Sequence, residues 1–379
     1  MPASRSFLNK NSRRIVIKIG SNVIASHRQG LDETRMKGIA AEVAALRQEG
    51  REVLLVSSGS ILCGMEKLGL PCLPETIPMK QAAAAVGQSR LMWAYERFFE
   101  RFEIKVAQIL LTGDVVADRK RFINARNTLM TLLQYRILPI INENDTVTVD
   151  EIKLGDNDHL AAQVTYLVDA SLLIILSDVN GFYTEDPGKN PNAVLIPMVE
   201  TVTPKIREMA GKEGAFGGTG GMATKVKTAE KVSAYGVATL ILNGTVPGLM
   251  RRAVHGEVLG TLFLPKPARL SSKKHWIAHS LKTKGALTLD RGAVEALLKK
   301  GRSLLPSGIC SVSGKFGVGD AILCLSPEGK EVARGLTNYN ASEMMRIKGI
   351  HSSRIEKVLG YKATDEVIHR DNLVIIDDD

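Results

Sequence analysis

The chain has 379 residues, 44% of them apolar and 24% charged, with a mean hydropathy of +0.01. This is the balance of a globular protein too long for one core, because cores stop growing near about 250–300 residues, so two domains are expected. Apolar runs such as residues 172–176 are far too short to cross a bilayer, which argues against a membrane protein. The basic N-terminus is followed by no sustained apolar stretch, so no signal peptide is expected. Cys63, Cys72, Cys310 and Cys324 form no C-x-x-C pair, so neither zinc nor a disulfide framework is indicated and the cytoplasm is the expected compartment. The net charge of +10 is uneven, residues 264–362 holding 18 Lys and Arg against seven Asp and Glu. Such a basic part suits either a nucleic-acid contact or a solvated surface.

Residues 14–20, RIVIKIG, read as a buried strand interrupted by Lys18 and ending in a Gly-Ser-Asn turn, where backbone can approach a ligand closely. Lys18 either snorkels from the strand end or meets a phosphate. Residues 31–48 have helical spacing and stop before Gly50. Residues 52–57 form a second strand, whose Ser-Ser-Gly turn heads a helix over 61–68. That turn offers N–H and hydroxyl groups to an anion, or serves tight packing alone. A long helix is expected over 78–102, with Trp93, Tyr95, Phe98 and Phe99 in the core or a subunit contact. A strand over 104–111, a helix over 119–134 and a strand over 137–141 follow. The alternation predicts an α/β fold with a mostly parallel sheet covered on both faces.

Residues 142–158, NENDTVTVDEIKLGDND, are the most polar connection in the chain. Asp156 or Asn157 suits the cap of a helix over 159–168. The carboxylates Glu143, Asp145, Asp156 and Asp158, with the amides Asn142, Asn144 and Asn157, exceed what one cap uses, and the surplus suggests a polar ligand. A strand over 171–178 ends in Ser177 and Asp178, where α/β sheets collect ligands. Residues 211–225, GKEGAFGGTGGMATK, are the densest in glycine and open a helix over 222–235. Consecutive N–H groups there, with Lys225 near the helix start, suit a terminal phosphate; a flexible surface loop is the alternative. Neither a G-x-x-x-x-G-K-[ST] nor a G-x-G-x-x-G pattern occurs. A strand over 237–242, a short helix over 248–255 and a Pro- and Lys-rich linker over 263–274 come next. Beyond it, a helix over 291–299 and short β-like runs at 309–312, 321–325 and 332–336 suggest a small β-barrel module.

Together, IVIKIGSNV at 15–23, VSSGS at 56–60, NEND at 142–145, GDND at 155–158, SDVNGFYTEDP at 177–187 and GTGGMATK at 218–225 carry a resemblance. The chain resembles the glutamate 5-kinases of the amino-acid kinase family in their two-domain bacterial form. GALTLDRGAV at 285–294, LLPSGI at 304–309 and GLTNYNASEM at 335–344 resemble a PUA domain, a module best known in RNA-modifying proteins. The resemblance implies a three-layer, mostly parallel sheet sandwich over residues 1–264, a linker over 265–282, a β-barrel-like PUA domain over 283–362 and a C-terminal extension over 363–379. It implies ATP-dependent phosphorylation of the γ-carboxylate of L-glutamate, the first step of proline biosynthesis.

Carried over residue by residue, Lys18 and Lys225 neutralise charge on the transferred phosphoryl group, and Asp158 orients both lysines with Asp156 nearby. Ser58, Asp145 and Asn157 hold glutamate. Ser177 and Asp178 bind ATP together with Lys18, Thr219, Gly220, Gly221, Met222, Ala223, Thr224 and Lys225. Mg²⁺ accompanies the nucleotide, with no protein metal site expected. The resemblance further implies feedback inhibition by proline, a homo-oligomer (dimer or tetramer) and glutamyl phosphate reductase as downstream partner; an RNA contact through the PUA domain stays open, and no membrane partner is expected. Ser177 stands where the family usually has Thr and Ser60 where it often has Ala, and His159 is less usual; none carries an expected change of activity. Kinases of the same fold acting on aspartate, acetylglutamate or UMP, and an RNA-binding factor, are the alternatives.

Overall fold

The computed structural model describes residues 5–26, 30–113, 115–116, 119–147, 157–211, 221–266 and 283–376. The chain divides into two compact units, Lys120–Ala268 closing the first and Arg269–Asp379 making up most of the second. The first begins with α1 (Ser6–Asn11), β1 (Arg14–Ile19), α2 (Ser21–Ile24), β2 (Ala25–Ser26), β3 (Gly30–Leu31), α3 (Glu33–Gln48), β4 (Glu52–Ser57) and α4 (Ser60–Leu68). Next come α5 (Ile77–Glu100), β5 (Val106–Leu111), α6 (Arg119–Gln134), β6 (Leu138–Glu143), α7 (Asn157–Leu167), β7 (Leu172–Ser177) and β8 (Met198–Val199). It ends with α8 (Pro204–Met209), α9 (Met222–Ala234), β9 (Ala238–Asn243), α10 (Leu249–Val254) and β10 (Thr261–Phe263).

The large sheet has the order β5-β6-β4-β1-β7-β9-β10-β8. From β5 to β9 neighbours are parallel; β10 runs antiparallel to β9, and β8 runs parallel to β10, so these two strands at one edge oppose the rest. The sheet's central strands are runs of Ile, Val and Leu with few interruptions, Lys18 of β1 among them, because helices cover both faces. Ile15, Ile17 and Ile19 of β1 share a core with Leu55, Ile174 and Leu240 and with residues of α3, α5 and α10. Alternation turns Val16 and Lys18 to the other face, where α7 contacts β1 and α9 contacts β9. The result is the three-layer sandwich expected.

Strand order places a topological switch at the sheet centre. From β1 the chain winds outward through β4 to β5 and β6 on one flank, then crosses back to β7 and β9 on the other. Ligands of open α/β sheets bind beyond the C-terminal strand ends at such a switch, here between β1 and β7. Two glycines tighten the structure beside it: a Cβ on Gly64 would lie 1.8 Å from Ala83 O, and one on Gly87 1.8 Å from Ser60 O, so α4 and α5 meet backbone to backbone.

One expected boundary moves. Phe263, read as the start of a linker, ends β10 and is 1% exposed; a three-residue strand is too short to stand out in sequence. Of the linker expected over 265–282, residues 267–282 lie outside the described residues.

The second unit holds β11 (Gly285–Leu289), α11 (Arg291–Lys300), β12 (Ile309–Gly314), β13 (Ala321–Leu325), β14 (Glu331–Leu336), α12 (Ala341–Ile347), α13 (Ile355–Leu359) and β15 (Leu373–Ile375). Its sheet has the order β12-β11-β13-β14-β15 around a separate core that includes Leu287, Ile322, Tyr339 and Ile347. Asp290 caps α11 and Asn340 forms a capping box with Glu343 on α12. Residues 363–379, expected as an extension, are part of this unit as far as they are described: β15 pairs with β14, and Val367, Ile368 and Leu373 enter the core.

Candidate active site

Lys18, near the C-terminal end of β1, points at the first turn of α7. Its Nζ lies 2.7 Å from Asp158 Oδ1, and Lys225 Nζ, from the first turn of α9, lies 3.5 Å from Asp158 Oδ2. Thr224 Oγ1 donates to Asp158 Oδ2 at 3.2 Å. All are buried, Lys18 to 4% exposure, Lys225 to 5% and Asp158 to 0%. Burial alone would push the Asp158 carboxyl up; Lys18 and Lys225, with hydrogen bonds from Lys18 and Thr224, outweigh it and hold the group below the usual carboxylate range. Asp158 thus gathers two ammonium groups in a dry place, an arrangement that suits an arriving anion better than a simple structural ion pair.

On the β4 and β6 flank, Asn157 opens α7 but does not cap it. Its Nδ2 donates to Ser57 O at 2.9 Å, to Asn142 Oδ1 at 2.8 Å and toward Ser58 Oγ at 3.1 Å. Asn142 Nδ2 donates in turn to Gln88 Oε1 at 2.8 Å. Gly59, with φ of 109°, makes the left-handed turn between Ser58 and α4. Ser60 Oγ donates to Asp145 Oδ2 at 3.4 Å, and burial pushes the Asp145 carboxyl up to about 6 against the pull of that bond. Tyr95, expected in the core, is buried there, and its hydroxyl lies 2.7 Å from Ser57 Oγ, tying α5 to the end of β4. Ser58, Asp145 and Asn157 therefore gather on one flank of Lys18. Gln88 was not foreseen from the sequence: it sits mid-helix with no motif around it.

On the β7 and β9 flank, a cleft of about 480 Å³ is lined by Asn22, Ser177, Asp178, Tyr183, Glu185, Lys189, Gly221, Met222 and Lys225. Asn22 Nδ2 donates to Asp178 Oδ2 at 3.0 Å and Ser177 Oγ to Asp178 Oδ1 at 3.1 Å. Burial raises the Asp178 carboxyl, but the hydrogen bonds from Asn22, its own backbone and Ser177, with the charge of Lys225, bring it below its ordinary value. Gly221 heads α9 without a side-chain cap, so the first N–H groups of the helix face the cleft's end ready for an anion. Ala223 departs from the expected set: its side chain lines a separate depression with Arg207, Lys227 and Glu230, because successive helix residues turn by about 100°. Asp156, Thr219 and Gly220 lie outside the described residues. Asn22, Tyr183, Glu185 and Lys189 were not singled out in sequence, although all four lie inside or beside motifs that were. His159 is on the surface of α7, 3.4 Å from Lys231, away from these groups.

Among the described residues no group of three or more His, Cys, Asp or Glu could hold a metal ion.

Residues 13–243 match the amino acid kinase family and residues 285–359 the PUA domain. The chain belongs to the amino acid kinase family. Within it, the chain is 52% identical over 372 residues to the Glutamate 5-kinase of Geobacter sp. (strain M21), covering 98% of this chain and 100% of that protein. It is 46% identical over 376 residues to the Glutamate 5-kinase of Syntrophus aciditrophicus (strain SB), covering 99% of this chain and 97% of that one. A solved carbamate kinase from Giardia lamblia bound to AMP-PNP is similar with a TM-score of 0.49 and 16% identity, over 67% of this chain and 99% of that one. The amino acid kinase membership read from the motifs is thus borne out, and with it the mostly parallel sheet.

Proposed function

We propose that the protein transfers the γ-phosphoryl group of ATP to the γ-carboxylate of L-glutamate, giving L-glutamyl 5-phosphate, the first step of proline biosynthesis. The observation that carries this reading is the buried Lys18–Asp158–Lys225 triad at the switch point, set between a flank of amides and hydroxyls and a flank with an open cleft. The identity of the acceptor rests on the full-length relatives.

The γ-carboxylate is already an anion at neutral pH, so the reaction needs no general base. The obstacle is charge. Two unit charges of like sign about 3.5 Å apart repel by roughly 5 kcal/mol at an effective dielectric near 20. Lys18 and Lys225 offset that repulsion from fixed positions, and Asp158 fixes them before substrate arrives, so little reorganisation is needed during transfer. The N-terminal N–H groups of α9 add partial positive charge beside Lys225. A magnesium ion bound with the nucleotide supplies further neutralisation of the β- and γ-phosphates. On the acceptor flank, Asp145 is assigned to the substrate's ammonium group, with Ser58 and Asn157 completing its polar shell. Ser177, Asp178 and residues 219–222, 224 and 225 are assigned to ATP. Asp156 is assigned beside Asp158.

The same proposal extends to partners. Proline carries an ammonium and an α-carboxylate like glutamate's, which supports inhibition at an overlapping site. An acyl phosphate hydrolyses readily, which supports prompt transfer to a glutamyl phosphate reductase. Oligomerisation is assigned to the first unit and modulation, or an RNA contact, to the PUA unit. No helix among the described residues is long and apolar enough to cross a membrane.

The test is ATP consumption that depends on L-glutamate, with hydroxylamine trapping the acyl phosphate as a hydroxamate. Consumption without hydroxamate, or preference for aspartate, acetylglutamate or UMP, would overturn the assignment. In the same assay Lys225→Ala is expected to lower kcat by about 10³-fold while glutamate still binds, since its ammonium group acts on the transferring group. A near-normal kcat would remove Lys225 from the mechanism.

A further inference from the structure

We infer that Gln88 is a positioning residue for the amino-acid acceptor: acting through Asn142, it steadies the Asn157 carboxamide in the orientation set by the backbone, with Oδ1 left for the site. The inference rests on the reading of the β4 and β6 flank as the glutamate site.

A carboxamide has two ends of nearly equal shape and opposite chemistry, so its orientation must be enforced by its partners. Here the enforcement starts from groups with no choice. The backbone N–H of Glu143 can only donate, and it lies 2.9 Å from an Asn142 side-chain atom, which is therefore Oδ1. The backbone carbonyl of Ser57 can only accept, and it lies 2.9 Å from Asn157 Nδ2. Asn157 Nδ2 also donates to Asn142 Oδ1 at 2.8 Å, so both ends of the chain agree. The remaining Asn142 amine then needs an acceptor, and Gln88 Oε1 supplies it at 2.8 Å.

This polarity has one consequence for the site. With its amine committed to Ser57 and Asn142, Asn157 turns Oδ1 the other way. That atom is buried, in a residue 2% exposed, and it accepts no hydrogen bond among the described residues. A buried acceptor left alone is costly, so a donor is expected to complete it on binding. The ammonium group of an α-amino acid is such a donor. The backbone next to Gln88 runs so close to α4 that a Cβ on Gly87 would lie 1.8 Å from Ser60 O, which fixes where α5 passes. Without the Gln88 acceptor, the Asn142 amine loses its partner, the Asn142 side chain shifts, and Asn157 keeps its polarity but holds Oδ1 less well in place for the substrate's ammonium.

The experiment compares the full-length wild type with Gln88→Leu, which keeps the bulk and removes the acceptor, and Gln88→Glu, which keeps an acceptor. Steady-state rates are measured at saturating ATP with L-glutamate and with glutarate, which has the same carboxylates but no ammonium. Gln88→Leu is expected to raise the glutamate KM about tenfold, the effect of one buried hydrogen bond, with kcat and the KM for ATP within about twofold of wild type. It is also expected to narrow the preference for glutamate over glutarate, because the lost contact is to the ammonium group alone. Gln88→Glu is expected to stay near wild type at neutral pH. If Gln88→Leu fails to fold, Gln88→Met removes the acceptor with a more adaptable chain. An unchanged glutamate KM, equal behaviour of the Leu and Glu variants, or an equal loss on glutamate and glutarate would overturn the inference while leaving the site's assignment intact. A wild type that turns over no glutamate would overturn both.

Discussion

Among the residues of the acceptor flank, Asp145 makes the sharpest demand on solution conditions. Its carboxyl is raised to about 6 by burial, so in the empty enzyme it is ionised only above that value. A carboxylate assigned to an ammonium group must be charged to hold it. The kcat/KM for glutamate is therefore expected to rise with pH through about 6 and level off above, falling about tenfold for each unit below. Bound ammonium stabilises the charged form, so kcat at saturating glutamate should bend at a lower pH. A flat profile of kcat/KM between pH 5 and 8 would take Asp145 out of glutamate recognition. Asp158 behaves oppositely, held ionised by Lys18 and Lys225. Asp158→Asn removes the charge that faces two buried ammonium groups, and the empty protein should lose about 3–5 kcal/mol of stability. Because nucleotide phosphates bring negative charge to the same place, ATP should restore more stability to this variant than to the wild type, as chemical denaturation with and without ATP would show.

At the level of elements, the parts legible in sequence were those whose cause is local. The strands β1, β4, β6, β7 and β9 announce themselves because a strand buried on both faces must be an unbroken apolar run. Lys18 stood out because it breaks such a run. The polar stretch after β6 stood out because no core uses so many carboxylates. What stayed hidden depends on neighbours far along the chain. That β1 lies between β4 and β7 cannot be read from either strand, and Gln88 gains its meaning only where α5 passes Asn142. The two- and three-residue strands β8, β10 and β15 are too short to show a period. Gly64 and Gly87 look like weak points in helices, yet they are the reason α4 and α5 touch. Gly87→Ala would place a methyl group on Ser60 O and Gly64 N, forcing the helices apart. It is expected to cost about 1–3 kcal/mol of stability and to raise the KM for glutamate more than that for ATP. Urea denaturation and a comparison of the two KM values check this; equal effects on both would mean that helix spacing does not reach the acceptor flank.

For the whole molecule, the two units have separate cores, and no residue of one core belongs to the other. A chain ending at residue 362 would lose β15 together with Val367, Ile368 and Leu373. The second unit is then expected to unfold and become sensitive to protease, while the first stays resistant and continues glutamate-dependent ATP turnover. Loss of turnover on such truncation would show that the chemistry depends on the PUA unit. The strand order has a further meaning for how this architecture diversifies. With donor chemistry assigned to one side of β1 and acceptor chemistry to the other, a lineage can exchange the turns after β4 and β6 for a new acceptor while keeping its nucleotide half untouched. The β1 lysine and the α7 aspartate it pairs with stand between the two halves, so neither position is free to drift.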